Sequence, residues 1–148
     1  MSPSRAGRCT LVTGAGQGIG RACVELLLAD GGSVVAVDLA LRMLRASPVE
    51  AAPLLQGDAS TLPFADSVFH GVAMFNMLLF PEEVDRVESP DGGQLLWINS
   101  SGDRTPIHLS PEDFLAALPG ASSGAWSARW ARSGTGFWVV ASRGLPAA

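Results

Sequence analysis

The chain has 148 residues, 47% of them hydrophobic and 16% charged, with a net charge of −4. That size suits one domain spanning residues 1–148, long enough to bury roughly 70% of its unfolded surface. An acidic balance is the wrong sign for a phosphate-backbone footprint, which needs clustered positive charge, so nucleic acid is excluded as a partner.

Two further absences narrow the chemistry. The chain has no tyrosine, and all ten of its basic residues are arginines. Cys9 and Cys23 have no metal-ligand spacing and read as small buried hydrophobes in a reducing compartment. No stretch approaches the ~18 apolar residues of a membrane span, and the apolar run after Arg5 and Arg8 is broken by glycines before a signal core can form. A cytoplasmic protein without a membrane partner is the expectation.

In chain order, Arg8–Thr13 predicts a short buried strand. Ile19, Ala22, Cys23, Leu26 and Leu27 then fall at helical spacing as one apolar face, and Gly31-Gly32 ends that helix. Ser33–Asp38 is continuous and β-branched, as expected of a strand buried on both faces. Leu41–Ala46 predicts a short helix, Pro53–Gln56 a third strand, Ala59–Val68 a loop and Gly71–Asn76 a fourth strand.

Pro81–Val87 predicts a helix with Glu82, Glu83 and Asp85 near its start, where the helix dipole favours acids. Pro90-Asp91-Gly92-Gly93 is a turn, and Gln94–Asn99 a fifth strand. Ser110 as N-cap and Pro111 as first helical residue open a helix to Leu118. Trp126–Trp130 and Phe137–Ala141 are two strands joined by Ser133-Gly134-Thr135-Gly136. The pattern predicts an α/β, Rossmann-like doubly wound sheet, mostly parallel, with an antiparallel C-terminal hairpin.

The first β-α-β unit carries a ligand argument. Thr13-Gly14-Ala15-Gly16-Gln17-Gly18-Ile19-Gly20 sits between a strand and a helix, where glycine lets backbone approach a ligand and the helix N-terminus offers unpaired N–H groups. Asp38 ends the next strand 24 residues after Gly14, near the offset at which an acid accepts from ribose hydroxyls. A nucleoside-binding site follows, with the nucleoside left open. The turn itself resembles that of the short-chain dehydrogenases and reductases, which bind NAD. Such enzymes transfer protons through a Tyr and a Lys, and this chain has neither.

The middle of the chain offers a second resemblance. It runs Leu54-Leu55-Gln56-Gly57-Asp58-Ala59, then Leu62-Pro63-Phe64-Ala65-Asp66-Ser67-Val68-Phe69-His70, then Phe75-Asn76-Met77-Leu78-Leu79-Phe80, Glu83–Val87 and Pro90–Gly93. This succession, with Val37-Asp38-Leu39 and Met43-Leu44 before it, resembles the class I S-adenosylmethionine-dependent methyltransferases of the small-molecule, methyltransferase type 11-like group.

The resemblance implies S-adenosylmethionine as cofactor and a small-molecule acceptor. Gly14, Gly16 and Gly18 would surround the methionine portion, Asp38 would hold the ribose and Leu39 would lie against the adenine. Asp58 would accept from the adenine amino group, Ala59 would donate from its backbone, and Asn76 would border the sulfonium. The pattern departs at Val12, where the family carries an acid, at His70 in place of Asp, and at Glu88 in place of Leu.

Only about seven residues precede the first strand, where related enzymes carry helices over the cofactor; cofactor binding is therefore the firmer expectation than catalysis. His108, just after the fifth strand, is the one candidate for a catalytic base; His70 reads as a loop or edge residue. Two other readings stand beside this one. One is an NAD-binding domain without the catalytic Tyr and Lys. The other is a non-catalytic Rossmann-like domain acting through a partner or as a homodimer.

Overall fold

The structure is a computed structural model, and it describes residues 7–16, 18–46 and 52–144. Arg5 and Gln17 of the segments discussed above lie outside the described residues. Seven strands form one sheet in the order β3-β2-β1-β4-β5-β7-β6. They are β1 (Cys9–Thr13), β2 (Ser33–Asp38), β3 (Leu54–Gln56), β4 (Gly71–Phe75), β5 (Gln94–Asn99), β6 (Trp126–Ser133) and β7 (Gly136–Arg143). The first five pair in parallel; β7 runs antiparallel to both β5 and β6. The α/β sheet and its C-terminal hairpin are as the sequence predicted.

Four helices flank it: α1 (Gly18–Ala29), α2 (Leu41–Arg45), α3 (Pro81–Val87) and α4 (Pro111–Ala117). α1 and α2 pack on β1 to β4 from one side. Val84 and Val87 of α3 and Phe114 of α4 join Leu11, Val72, Leu95, Trp97 and Val139 in the core on the other. The Ser110 hydroxyl accepts from Asp113 N at 3.0 Å, which is the N-cap that Ser-Pro-Glu-Asp promised.

One sequence expectation is corrected. The face of α1 turned to the sheet is Gly20 and Val24, flanked by the half-buried Cys23, Leu27 and Leu28, while Leu26 is 71% exposed and Ile19 45%. Both stripes have helical spacing, so apolar periodicity alone could not choose between them. Gly20 decides the matter: a Cβ there would stand 2.2 Å from the Gly14 carbonyl oxygen, so the helix start is pressed against its own turn at that position.

Two polar features within the fold matter beyond packing. Arg86 of α3 reaches under the loop that follows β3. Its guanidinium donates to the carbonyls of Leu62 (3.0 Å) and Phe64 (2.7 Å) and to the carboxylates of Asp66 (2.9 Å) and Glu83 (2.7 Å). Glu83 also accepts from Leu62 N, and its bond from Arg86 holds its carboxyl below the usual range. The Leu-Pro-Phe-x-Asp loop is thus clamped to α3 by backbone and charge together.

Glu88 is the second feature. It directly follows α3, is 0% exposed, and among the described residues neither carboxylate oxygen has a hydrogen-bond partner. Burial pushes its pKa from the ordinary 4.5 up to about 8. Between those values the folded chain keeps a proton that the unfolded chain has released, so stability falls as pH rises across that window and is lost as pH passes the folded value.

Glu88→Leu should raise the melting temperature, by the equivalent of about 1–3 kcal/mol at alkaline pH, because an unpaired buried polar group is removed. Glu88→Gln should flatten the fall in stability between pH 5 and 8 that chemical denaturation shows for the natural chain. Arg86→Ala should cost about 1–2 kcal/mol and speed amide exchange in residues 58–68, since two loop carbonyls lose their donor.

Candidate functional site

Strands β1 and β4 lie side by side, yet the helices that follow them go to opposite faces of the sheet. A crevice must open between their C-terminal ends, and open α/β sheets bind ligands at such a switch point. Here the crevice is a cavity of about 350 Å³, lined by Gly14, Asp38, Leu39, Asp58, Ala59 and Asn76 among others. An adjoining cavity of about 480 Å³ shares Gly14, Asp38, Phe75 and Asn76 with it and continues to Gly18, Ile19 and the start of α1. Together they form one trough across the ends of the parallel strands.

Each wall follows from local structure. Gly14 takes φ +64°, a left-handed conformation that turns the chain sharply off β1. Asp38 is the last residue of β2; its Oδ1 accepts from Ala40 N at 2.9 Å, which fixes the carboxylate at the strand end. Gln56 Nε2 donates to Leu39 O at 3.1 Å and Gly57 N to Asp38 O at 3.2 Å, tying the ends of β2 and β3 together.

Asp58 heads the clamped loop. Its Oδ1 accepts from Ser60 N (2.8 Å) and from Ser60 Oγ (2.7 Å), and the backbone bond is the larger cause of its lowered pKa. The carboxylate is therefore both a turn cap and an anion at the trough, with Oδ2 the oxygen left for a ligand donor.

Asn76 adopts φ +51° immediately after β4, an unusual value for a residue with a Cβ. Its Oδ1 accepts from Ser100 N (2.7 Å) and Ser100 Oγ (2.9 Å), and its own N–H donates to Ile98 O (2.8 Å). These bonds fasten the end of β4 to the end of β5 and hold the strained backbone in place.

The structure gathers seven of the eight residues singled out as cofactor-binding: Gly14, Gly18, Asp38, Leu39, Asp58, Ala59 and Asn76. Gly16 is the exception. It is buried against Met43, where a Cβ would come within 2.7 Å of the backbone, so its small size serves the packing of the turn on α2. His108 is not brought to the trough: its ring packs edge-on against Phe137 at 5.2 Å. His70 lies at the opposite end of the sheet, where its Nδ1 accepts from Cys9 N at 3.2 Å.

Sequence reasoning missed the apolar half of the trough: Phe75, Met77, Leu78 and Phe80. Met77 is held by two bonds, Thr13 Oγ1 to its sulfur at 2.9 Å and Trp97 Nε1 to its carbonyl at 3.0 Å. The run Phe75–Phe80 was visible as a signal, but a strand followed by a loop has no periodicity that says which chains face a cavity.

Two carboxylates at consecutive strand ends suit a ligand with a ribose and an exocyclic amine, and the apolar walls suit a purine face. The donor set therefore fits a nucleoside. Among the described residues no cluster of His, Cys, Asp and Glu could hold a metal ion, and no helix is long and apolar enough to cross a membrane.

Residues 13–89 match the family of methyltransferase domains. The fold is similar to that of a SAM-dependent methyltransferase from Aquifex aeolicus, at 19% identity with a TM-score of 0.65, over 95% of this chain and 85% of that one. A SAM-dependent methyltransferase from Methanosarcina mazei is similar at 18% identity and a TM-score of 0.69, over 93% and 92% of the two chains. A chain from the complex between the Haloferax volcanii Trm112 methyltransferase activator and a putative methyltransferase gives 14% identity and a TM-score of 0.74, over 94% and 84%. The family match takes in every wall of the cavity of about 350 Å³, from Thr13 to Phe80. This chain belongs to the methyltransferase-domain family, whose members take S-adenosylmethionine as cofactor.

Proposed function

We propose that Asp38 holds the ribose hydroxyls of S-adenosylmethionine, that Leu39 and Ala59 enclose its adenine, and that Asp58 accepts from the adenine amino group. Gly14 and Gly18 lie along the methionine portion, and Asn76 borders the sulfonium, with a small-molecule acceptor reaching the methyl group from beyond it. Gly16 stays in the turn as a packing residue, and His108 is given no part in the transfer. The observation that carries this reading is the single trough on which Gly14, Asp38, Asp58 and Asn76 converge.

The cofactor, when bound, supplies an electrophilic methyl group on a positively charged sulfur. The chain's part is to bind and align it. Asp38 and Asp58 put negative charge at the nucleoside end. Phe75, Met77, Leu78 and Phe80 provide a wall that favours an apolar acceptor and excludes water.

Among the described residues no histidine, lysine or glutamate lines the trough. The acceptor should then be an atom with an available lone pair at neutral pH, since no described histidine or lysine there could take its proton. A cytoplasmic setting goes with this reading, supported by Cys9 and Cys23, which form no disulfide. So does a single domain over residues 1–148. Besides the acceptor, the partner it admits is a second copy of the chain.

Calorimetric titration with S-adenosylhomocysteine tests the site. Saturable binding is expected, and Asp38→Ala and Asp58→Ala should each weaken it about 10- to 100-fold, the cost of losing a charge-assisted hydrogen bond. Gly16→Ala should lower the melting temperature, because its Cβ would collide with Met43. Titration with NADH should give no heat; binding of NADH without S-adenosylhomocysteine would overturn the assignment in favour of the glycine turn's other relatives.

A further inference from the structure

The two faces of the sheet are unequally covered. Residues of β5 and β7 alternate between them, and Leu95, Trp97, Val139 and Ala141 on the α3/α4 side are all 0% exposed. Their neighbours Leu96, Ile98, Trp138 and Val140 remain half-buried. Register pairs Leu96 with Val140 and Ile98 with Trp138, so these four form one apolar patch on the α1 side. The described helices on that side pack on β1 to β4, and a groove of about 160 Å³ runs between α1 and this patch, past Cys23, Leu27, Leu96 and Val140.

The patch has the footprint of one helix. Three strands at the usual spacing make a strip about 10 Å across, and the six residues of β5 extend about 20 Å. The twelve residues of α1 make a cylinder about 18 Å long and about 10 Å wide.

α1 also carries the complementary surface. Ile19, Ala22, Leu26 and Ala29 recur at i, i+3, i+7 and i+10 on its outer side, with Leu26 at 71% exposure. A soluble helix gains nothing from a second apolar stripe unless something covers it. Glu25, exposed beside Leu26, pairs with Arg21 at 3.1 Å on the same helix, and exposed Arg129 sits in register with Val140 at the patch, where that carboxylate offers it a partner.

We infer that a second copy of this chain covers the bare half of the sheet, the outer stripe of α1 in each copy packing across Leu96, Ile98, Trp138 and Val140 of the other. The contact is isologous: each copy gives a helix and receives one, so a two-fold axis closes the pair and leaves no free end. Sheet, two helices and sheet then form one stack, with Ile19 the one stripe residue that also borders the trough. The inference rests on the covering of the sheet and not on the cofactor assignment.

Sedimentation equilibrium between about 1 µM and 1 mM reads the outcome directly, that range spanning micromolar to millimolar dissociation constants. Twice the chain mass is expected at the upper end. Leu26→Glu and Val140→Glu should each return the protein to a monomer with an unchanged circular dichroism spectrum. Mixing those two variants should restore dimers, because the intact helix of one meets the intact sheet of the other.

Arg129→Glu, at an exposed site that should not disturb folding, is expected to weaken association about 10-fold, and adding Glu25→Arg to recover it. A natural chain that stays monomeric throughout overturns the inference and leaves the face to a different protein or segment. A dimer indifferent to both Leu26→Glu and Arg129→Glu overturns it equally. Binding of S-adenosylhomocysteine by a monomer would leave the cofactor assignment standing while this inference fails.

Discussion

Strand β1 ends at Thr13 beside the end of β4 at Phe75, and from that point the chain must pass to one face after β1 and to the other after β4. The divergence leaves a gap that no side chain of either helix layer can fill. Everything polar in the site is arranged around it. Gly14 turns into the gap at positive φ, Asp38 and Asp58 stop at the next two strand ends, and Asn76 accepts a strained backbone to tie β4 to β5. The cost of that strain is met by three hydrogen bonds in a rigid parallel sheet.

The supports behind the trough are as informative as its walls. Arg86 explains why the Leu62–Asp66 loop and the Glu83–Val87 helix travel together: one guanidinium satisfies carbonyls from the first and carboxylates from both. That clamp lies one turn of loop beyond Asp58 and Ala59, so it steadies the loop that carries both into the trough. Glu88 lies two residues further on and does the opposite, placing an unpaired acid in the core. A hydrophobe of similar length would satisfy the site better, which makes this residue a local weakness in the fold.

Among the described residues the trough holds carboxylates, glycine turns and apolar walls, and no histidine or lysine. Alignment and exclusion of water are then the contributions the chain itself makes to methyl transfer. The same economy shows in the sheet: Leu95, Trp97, Val139 and Ala141 on one face are 0% exposed, while Leu96, Ile98, Trp138 and Val140 on the other are half-buried. Cofactor site and apolar strip lie on different parts of the molecule, strand ends and sheet face, and Ile19 at the start of α1 is common to the trough and to the outer stripe of that helix.

Seven strands, four helices and the glycines and aspartates that meet at the strand ends were legible in the amino-acid sequence, because each had a local cause. Strands buried on both faces read as unbroken β-branched runs, Ser110-Pro111 announced a cap, and glycines and aspartates marked the strand ends. Five things were decided only by tertiary structure. Gly16 lies against Met43 of α2, a contact that no pattern within the turn announced. Which of two equally periodic stripes on α1 faces the sheet depended on the close approach of Gly20 to Gly14. The apolar wall from Phe75 to Phe80, the Arg86 clamp and the seclusion of Glu88 needed contacts between segments far apart in the chain. A pattern within one segment records that segment's own periodicity; it carries no trace of which distant surface will be laid across it.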